Sequence, residues 1–282
     1  MKPTILVTTL LVTAVSSVAH AQERIATFDL GSLDTLDALG VSDQIVGIPK
    51  QILPDYLSTY NDDAYTDLGG LRSPDLEAIA ESEPSLILYT GRQGEWESEF
   101  EEIAPVLNTS LQGDDYLVVF DDNVRQLASH VGVEERAEEA LKELHADIES
   151  HRQALDEALR VLVVTSNDGN LGLNTHPVVH DVLGIKTLEM PDSVTSITRG
   201  SRTFTPLTMD AIGEIQPDVL LVVDRSAAIG NDAADTNALE RALADAGTPD
   251  TRLVVLTPAL WYLSGGGLQS LKLQIDEVVE AL

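Results

Sequence analysis

The sequence predicts an α/β protein of two Rossmann-like lobes joined by one long backbone helix, and three observations predict it. The first is Glu134 to Leu159, EERAEEALKELHADIESHRQALDEAL, a stretch without Gly or Pro and filled mostly with strong helix formers. Ala137, Leu141, Leu144, Ile148, Leu155 and Leu159 recur along it at three-, four- and seven-residue steps, giving one apolar stripe. A helix of that length spans about 39 Å, and the stripe is too irregular for a strict coiled coil. The second is an internal repeat on either side of the helix. Leu76 to Leu88 (LEAIAESEPSLIL) aligns without a gap on Met209 to Leu221 (MDAIGEIQPDVLL), and Asp37-Ala-Leu-Gly40 is echoed by Asp181-Val-Leu-Gly184. The third is the alternation of short helical and buried aliphatic stretches, which predicts parallel sheets with ligand groups beyond the strand C-terminal ends. The expected boundaries are 1–21 for a signal peptide, 22–133 for the first lobe, 134–159 for the helix and 160–282 for the second lobe.

In order, the first lobe reads as a strand at Arg24 to Leu30, a helix at Leu33 to Leu39 ended by Gly40, and a strand at Gln44 to Ile48. Pro49 to Gly70 has little periodicity and reads as a long loop of the kind that carries function. Ser73 followed by Pro74 reads as a helix start. A strand at Ser85 to Tyr89 and helices at Glu95 to Ile103 and Asp122 to Val131 complete the lobe. The second lobe opens on a buried strand, Arg160 to Thr165, followed by a Gly/Asn-rich loop and a helix through Val182. Pro191 to Pro206 reads as irregular. The repeat helix then leads into a strand at Val219 to Asp224, a helix at Asn237 to Ala246, a strand at Arg252 to Thr257 and an amphipathic helix, Leu268 to Leu282.

Composition narrows the function. The chain opens MKPTILVTTLLVTAVSSVAHA, with a basic start, an apolar core and a small-x-small cleavage site, which predicts a secretory signal peptide cut before Gln22. No second apolar span follows, so a soluble protein of the periplasm is expected. There is no Cys for a disulfide or a lipid anchor. Net charge is −30, with 47 acidic residues against 17 basic ones. That argues against nucleic acid or anionic membrane as a partner, since both need a basic surface.

Enzyme constellations are poorly represented: no Cys nucleophile, no H-E-x-x-H, no phosphate loop and no G-x-S-x-G. His145 and His151 lie six apart on the long helix and read as solvated. His176 and His180 have the spacing to bind a metal together, but they read as polar surface because no third ligand stands nearby. Gly265 to Gly267 reads either as an anion cradle before a helix or, preferably, as a tight strand-to-helix turn. Arg92 and Arg225 stand out, each four residues past its repeat copy (after Leu88 and Leu221) and each just beyond a buried strand. If the lobes face each other, both guanidiniums point into the shared cleft and bind an anion there.

Val46-Gly-Ile-Pro-Lys50, Leu53-Pro-Asp-Tyr-Leu57, Gly91-Arg-Gln93, His180-Asp-Val-Leu-Gly184, Val222-Val-Asp-Arg225 and Trp261-Tyr-Leu263 occur in order at the spacing of one family. Together they make the mature chain resemble the periplasmic binding proteins of ABC importers for iron chelates. The likeness is strongest to binders of ferric catecholate siderophores of the enterobactin and petrobactin type. The resemblance implies the class III periplasmic binding protein fold and a non-enzymatic monomer without an intrinsic cofactor. It implies that a ferric siderophore is captured between the lobes and delivered to an ABC transporter permease for iron uptake. Cationic ligand positions of the family fall on Arg72, Arg92 and Arg225, suited to a trianionic ferric tris-catecholate. Tyr262 falls on a tyrosine that ligates iron in some members, and Trp261 is expected in the core. A further family arginine falls on Thr175. The family's iron-ligating histidine is missing from a loop that carries Arg199 and Arg202 instead. The siderophore is therefore expected to supply most iron ligands, with Arg199 and Arg202 replacing the lost charge. Glu77 and Asp210, equivalent in the repeat, fall on acids that dock onto the permease. Competing expectations are a carrier of another chelate such as haem or cobalamin, and a secreted α/β hydrolase.

Overall fold

The computed structural model describes residues 22–200 and 202–282, Arg202 in its backbone only; the predicted signal peptide lies outside the described residues. The first half runs β1 (Ile25–Thr27), α1 (Leu30–Ala38), β2 (Ile45–Ile48), β3 (Thr66–Asp67), β4 (Gly69–Gly70), β5 (Ser73–Pro74), α2 (Leu76–Glu81), β6 (Leu86–Tyr89), α3 (Glu97–Glu101), β7 (Val106–Asn108) and α4 (Tyr116–Val131). Helix α5 (Glu134–Ala154) follows. The second half runs β8 (Val161–Asn167), β9 (Asn170–Leu173), β10 (Ile197–Arg199), β11 (Arg202–Phe204), β12 (Pro206–Leu207), α6 (Met209–Ile215), β13 (Val219–Asp224), α7 (Arg225–Ala228), α8 (Thr236–Asp245), β14 (Arg252–Leu256), α9 (Pro258–Tyr262) and α10 (Leu268–Ala281).

Two five-stranded sheets result, in the orders β3-β2-β1-β6-β7 and β12-β9-β8-β13-β14. The first is wholly parallel, as expected. The second is not: β9 and β12 run antiparallel on its edge. The reason is local, because Asp168 (φ 49°) and Gly169 (φ 76°) are both left-handed and form a two-residue hairpin turn.

The repeat is structural. Helix α2 leads into β6 as α6 leads into β13, and each helix ends on a left-handed non-glycine residue at the same repeat position, Glu83 (φ 46°) and Gln216 (φ 52°). An arginine holds each turn. Arg24 donates to the carbonyls of Glu83 (2.8 Å) and Ser82 (2.6 Å), and Arg160 to those of Gln216 (3.1 Å) and Ile215 (2.5 Å). These side chains satisfy helix C-terminal carbonyls and complement the dipole.

Several elements depart from expectation. Helix α5 stops at Ala154 rather than Leu159: Leu155 is extended (ψ 141°), and the Asp156 carboxylate accepts from the Ala158 N–H. That Asx turn competes with continued helix and still lets Leu155 and Leu159 pack on the core. Asp75, not Ser73, caps α2, while Ser73–Pro74 pairs with Gly69–Gly70. Residues Glu95 to Ile103 divide between a 3-10 turn, Gly91–Trp96, and the short α3. Helix α4 starts at Tyr116 on an Asp115 cap, burying Phe120 and Val124. Within the long loop, a 3-10 turn at Asp55–Asn61 buries Leu57 and Tyr60. Val178–Val182 is a π-turn, and β10–β11 form a hairpin where irregular chain was expected.

The lobes share one core. Leu33 and Leu36 of α1, Leu141 and Leu144 of α5, and Leu271 and Ile275 of α10 join the inward faces of both sheets in a single buried cluster. At its centre the glycines permit close approach. A Cβ on Gly31 would stand 2.8 Å from the Gly265 carbonyl oxygen, so the chains meet backbone to backbone there. The glycine run is thus a turn, as preferred, but between α9 and α10 rather than after a strand. The anion on the α10 N-terminus belongs to the chain itself: Asp34 accepts from the N–H groups of Gln269 and Ser270 at 2.6 Å each. Burial raises the Asp34 pKa to about 6, against the pull of those hydrogen bonds.

Candidate functional site

The cleft groups lie at or just beyond strand C-terminal ends: Asp29 after β1, Arg92 after β6, Thr109 after β7, Asn167 ending β8 and Arg225 after β13. Each lobe aims its arginine by a different device. Thr90 caps the 3-10 turn that carries Arg92, and Gln93 in that turn donates to the Leu71 carbonyl at 2.6 Å. That bond pins the loop bearing Arg72 beside Arg92. On the other side Asp224, buried, accepts from Ala227 N (3.2 Å) and Ala234 N (2.6 Å) and so fixes the first turn of α7, where Arg225 sits.

Tyr262, at the end of α9, joins the two. Arg225 Nε donates to its hydroxyl at 2.8 Å, and Arg92 Nη2 donates to its backbone carbonyl at 3.2 Å. Both guanidiniums also lie over its ring, 5.5 Å (Arg225) and 5.8 Å (Arg92) from the centroid. A second Arg225 nitrogen donates to Asn167 Oδ1. Burial, with the like charge of Arg72 nearby, lowers the Arg92 pKa. Among the described residues no carboxylate pairs with Arg72, Arg92 or Arg225, although the chain carries 47 acids. Arg92 and Arg225 are therefore not surface ion pairs in this structure.

These residues line two cavities. One, about 240 Å³, is bounded by Arg72, Arg92, Arg225, Tyr262, Ile52 and Ile229. The other, about 400 Å³, is bounded among others by Arg92, Tyr262, His176, Tyr116 and Gln274. Arg92, Tyr262 and Leu263 line both.

The structure brings together Arg72, Arg92, Arg225 and Tyr262. It does not bring Arg199 to them: Arg199 is exposed at the tip of the β10–β11 hairpin, its guanidinium 5.6 Å from the Phe204 ring centroid. Arg202 pairs with Arg199 through the backbone of the same hairpin. Glu77 and Asp210 occupy the same exposed first-turn position of α2 and α6. Trp261 is buried, as expected, and donates to Glu277 at 2.6 Å.

The histidines need correction. His176 is not surface: it lines the second cavity, packs edge-on against Trp261 (4.7 Å between centroids), and burial lowers its pKa to about 4. His180 turns elsewhere, its Nδ1 2.8 Å from the Ile185 carbonyl, so the two do not act as a metal pair. His145 is not merely solvated, since Asp121 of α4 lies 2.9 Å from its Nε2. Among the described residues no three His, Cys, Asp or Glu side chains gather as a metal site.

A family model described as Periplasmic binding protein matches residues 25–245, most of the described chain. The chain belongs to the periplasmic binding protein family. Within that family it is 32% identical over 269 residues to the petrobactin-binding protein YclQ of Bacillus subtilis strain 168, covering 92% of this chain and 82% of that protein. The crystal structure of YclQ matches with a TM-score of 0.81 over 92% of this chain and 91% of that one. The iron uptake ABC transporter substrate-binding protein PiuA of Streptococcus pneumoniae matches at 33% identity and a TM-score of 0.80, covering 92% of this chain and 93% of that one. The catecholate-siderophore binding protein VctP of Vibrio cholerae shares the fold, at 23% identity and a TM-score of 0.75 over 93% of this chain and 94% of that one. Among the described residues no helix is long and apolar enough to cross a membrane.

Sequence reading missed Asn167, Tyr116 and Gln274, and placed His176 on the surface. Asn167 was findable, since it ends β8 as Arg225 follows β13. Tyr116 and Gln274 sit on helices of opposite halves and meet only through the fold, so no local spacing announces them.

Proposed function

We propose that this protein captures a ferric catecholate-type siderophore between its lobes and delivers it to an ABC transporter permease. It does so as a monomer in the periplasm, after removal of residues 1–21. The observation that carries the reading is the cluster of Arg72, Arg92 and Arg225 around Tyr262, left without a carboxylate partner among the described residues of a chain of net charge −30. Gathering cations that the protein's own acids do not neutralise is costly unless an anion arrives to pair with them. A ferric tris-catecholate brings three negative charges and flat rings, which planar guanidiniums meet both by charge and by stacking. The names of YclQ and VctP, binders of petrobactin and of catecholate siderophores, support the same ligand class.

In this reading Arg72, Arg92 and Arg225 bind the chelate and Tyr262 is the floor on which it rests. The siderophore itself supplies the iron ligands. Arg199 and Arg202, on the β10–β11 hairpin outside this cluster, add longer-range positive charge rather than contacts to the chelate. Glu77 and Asp210 present equivalent acids, one per lobe, to the permease. The lobes, 22–133 and 160–282, move modestly, because the shared core and the Asp34 cap on α10 resist a wide hinge.

The test is titration of Trp96 and Trp261 fluorescence with a ferric catecholate, its iron-free form, a ferric hydroxamate, haem and cobalamin. Tight quenching by the ferric catecholate alone is expected. Quenching by haem or cobalamin instead, or by none of the five, would refute the assignment.

A further inference from the structure

The cavity that gathers the arginines is not purely ionic. Arg225, Arg72 and Tyr262 each have an apolar neighbour on the same stretch of chain, and that neighbour lines the cavity with them. Ile229 follows Arg225 by four residues and its N–H donates to the Arg225 carbonyl at 3.2 Å, so one helical turn sets it on the Arg225 side of α7. Leu71 shares with Arg72 the two-residue tip between β4 and β5. Leu263 follows Tyr262 at the end of α9. Ile52 comes from the loop after β2, which is seated against the β4–β5 hairpin: a Cβ on Gly70 would stand 2.8 Å from Gln51 Oε1.

Ile52 and Ile229 approach each other across the lobes. A Cβ on Gly230 would stand 3.8 Å from Ile52 Cδ1, ordinary van der Waals contact, so the Ile52 side chain lies along the backbone next to Ile229. Both isoleucines are half-buried and both line the cavity. Among the described residues no carboxylate and no histidine lines it. At about 240 Å³ it falls below the roughly 300–1,000 Å³ usual for small-molecule sites, so a chelate that reaches the arginines must press on these walls. Charge alone would admit any trianion of suitable size. The walls do not: ring edges laid on them bury apolar surface favourably, whereas carboxylate oxygens held there lose water and gain no donor.

We propose that Ile52 and Ile229 are specificity-determining residues, one from each lobe, that close on the rings of an aromatic chelate and reject a carboxylate chelate of the same charge. The arginines select the sign of the ligand, and the isoleucines select its periphery. Ile52 parts from the end of α7 as the chelate enters and then packs on a ring edge, with Ile229 on the opposite side. This rests on the ferric-catecholate reading of the cleft and deepens it.

The test compares two kinetically inert trianions, tris(catecholato)chromate(III) and tris(oxalato)chromate(III), alike in charge and octahedral oxygen coordination and different in periphery. A ferric tripodal tris-catecholate serves as the reference ligand. Equilibrium dialysis under nitrogen at fixed ionic strength gives each affinity. The native protein is expected to bind the catecholate complex at least about ten-fold more tightly than the oxalate complex. Ile52→Asn and Ile229→Asn should each shrink that ratio to about three-fold or less. The readout is a ratio between ligands of equal charge, so a general loss of affinity does not mimic it, and either variant stands if the other fails to fold. Equal affinity of the native protein for both trianions, or a ratio unmoved in a folded isoleucine variant, overturns the proposal and leaves the ferric-catecholate reading in place as long as the reference binds. If the reference does not bind, that reading falls and takes the isoleucine pair with it.

Discussion

Arg225 Nε donates to the Tyr262 hydroxyl at 2.8 Å, tying the cation of one strand end to the phenol that closes the cleft floor. With its oxygen engaged by a cation, Tyr262 serves the ligand as a platform before it serves the metal. Tyr262→Phe should therefore lower affinity for a saturated ferric tris-catecholate only about three- to ten-fold, the scale of one hydrogen bond and a changed stacking surface. The visible charge-transfer band of the bound complex should not move. A shifted band, or a loss of several hundred-fold, would mean that the phenol is an iron ligand.

Arg92 is held partly buried beside Arg72, and among the described residues no carboxylate forms an ion pair with either. Arg92→Ala should cost at least about ten-fold in affinity for the ferric chelate, and the loss should shrink as salt rises. The same substitution should leave the ligand-free melting temperature unchanged or raise it, because it relieves cation–cation repulsion. A clear fall in both quantities would make Arg92 a structural residue instead.

Glu77 and Asp210 lie at matching positions of α2 and α6, exposed and not among the residues that line the two cavities. Glu77→Lys with Asp210→Lys should abolish permease-dependent uptake and leave the fluorescence titration unaltered. Uptake at the native rate would remove both acids from the docking surface.

Much of this architecture was legible in the chain. The repeat announced two equivalent α/β units, and it extends to the left-handed Glu83 and Gln216, a detail that residue identity alone does not suggest. Arg92 and Arg225 were visible because strand ends carry ligand groups and because cations are scarce here. Asp168-Gly169 was also legible, as a hairpin dipeptide, and reading it as loop cost the antiparallel edge of the second sheet. What could not be read was whatever depends on distant chain. Asp34 capping α10 joins residues from opposite ends of the sequence. His176 looked like surface because nothing local says that Trp261 covers it. The end of α5 was misjudged because helix propensity continues past Ala154, while the Asp156 turn and the packing of Leu159 decide the matter.

The contact of Gly31 with the Gly265–Gly267 turn makes a stability prediction. Gly31→Ala would place a methyl 2.8 Å from the Gly265 oxygen, so the lobes must separate locally. A loss of about 1–3 kcal/mol in chemical denaturation is expected, despite the better helix propensity of Ala. A stabilised Gly31→Ala would show that the two backbones do not meet.

Asp34 and His176 make opposed contributions to stability against pH. Asp34 titrates at about 6 in the fold against an ordinary 3.8, so its contribution is fully present below pH 4 and is lost as pH rises through 6. His176 titrates at about 4 against 6.5, so its contribution is present above pH 6.5 and is lost as pH falls through 4. Between pH 4 and 6 the two partly cancel, and single variants separate them. The melting temperature of His176→Gln, minus that of the native protein, should climb as pH falls from 6.5 to 4, because the variant no longer resists protonation. The same difference for Asp34→Asn should climb as pH rises from 4 to 6, above a constant deficit from the weakened α10 cap. The difference removes the background of the many surface acids, which both proteins share. A flat difference for Asp34→Asn would mean that the carboxylate stays ionised throughout, held by the Gln269 and Ser270 amides strongly enough to offset its burial.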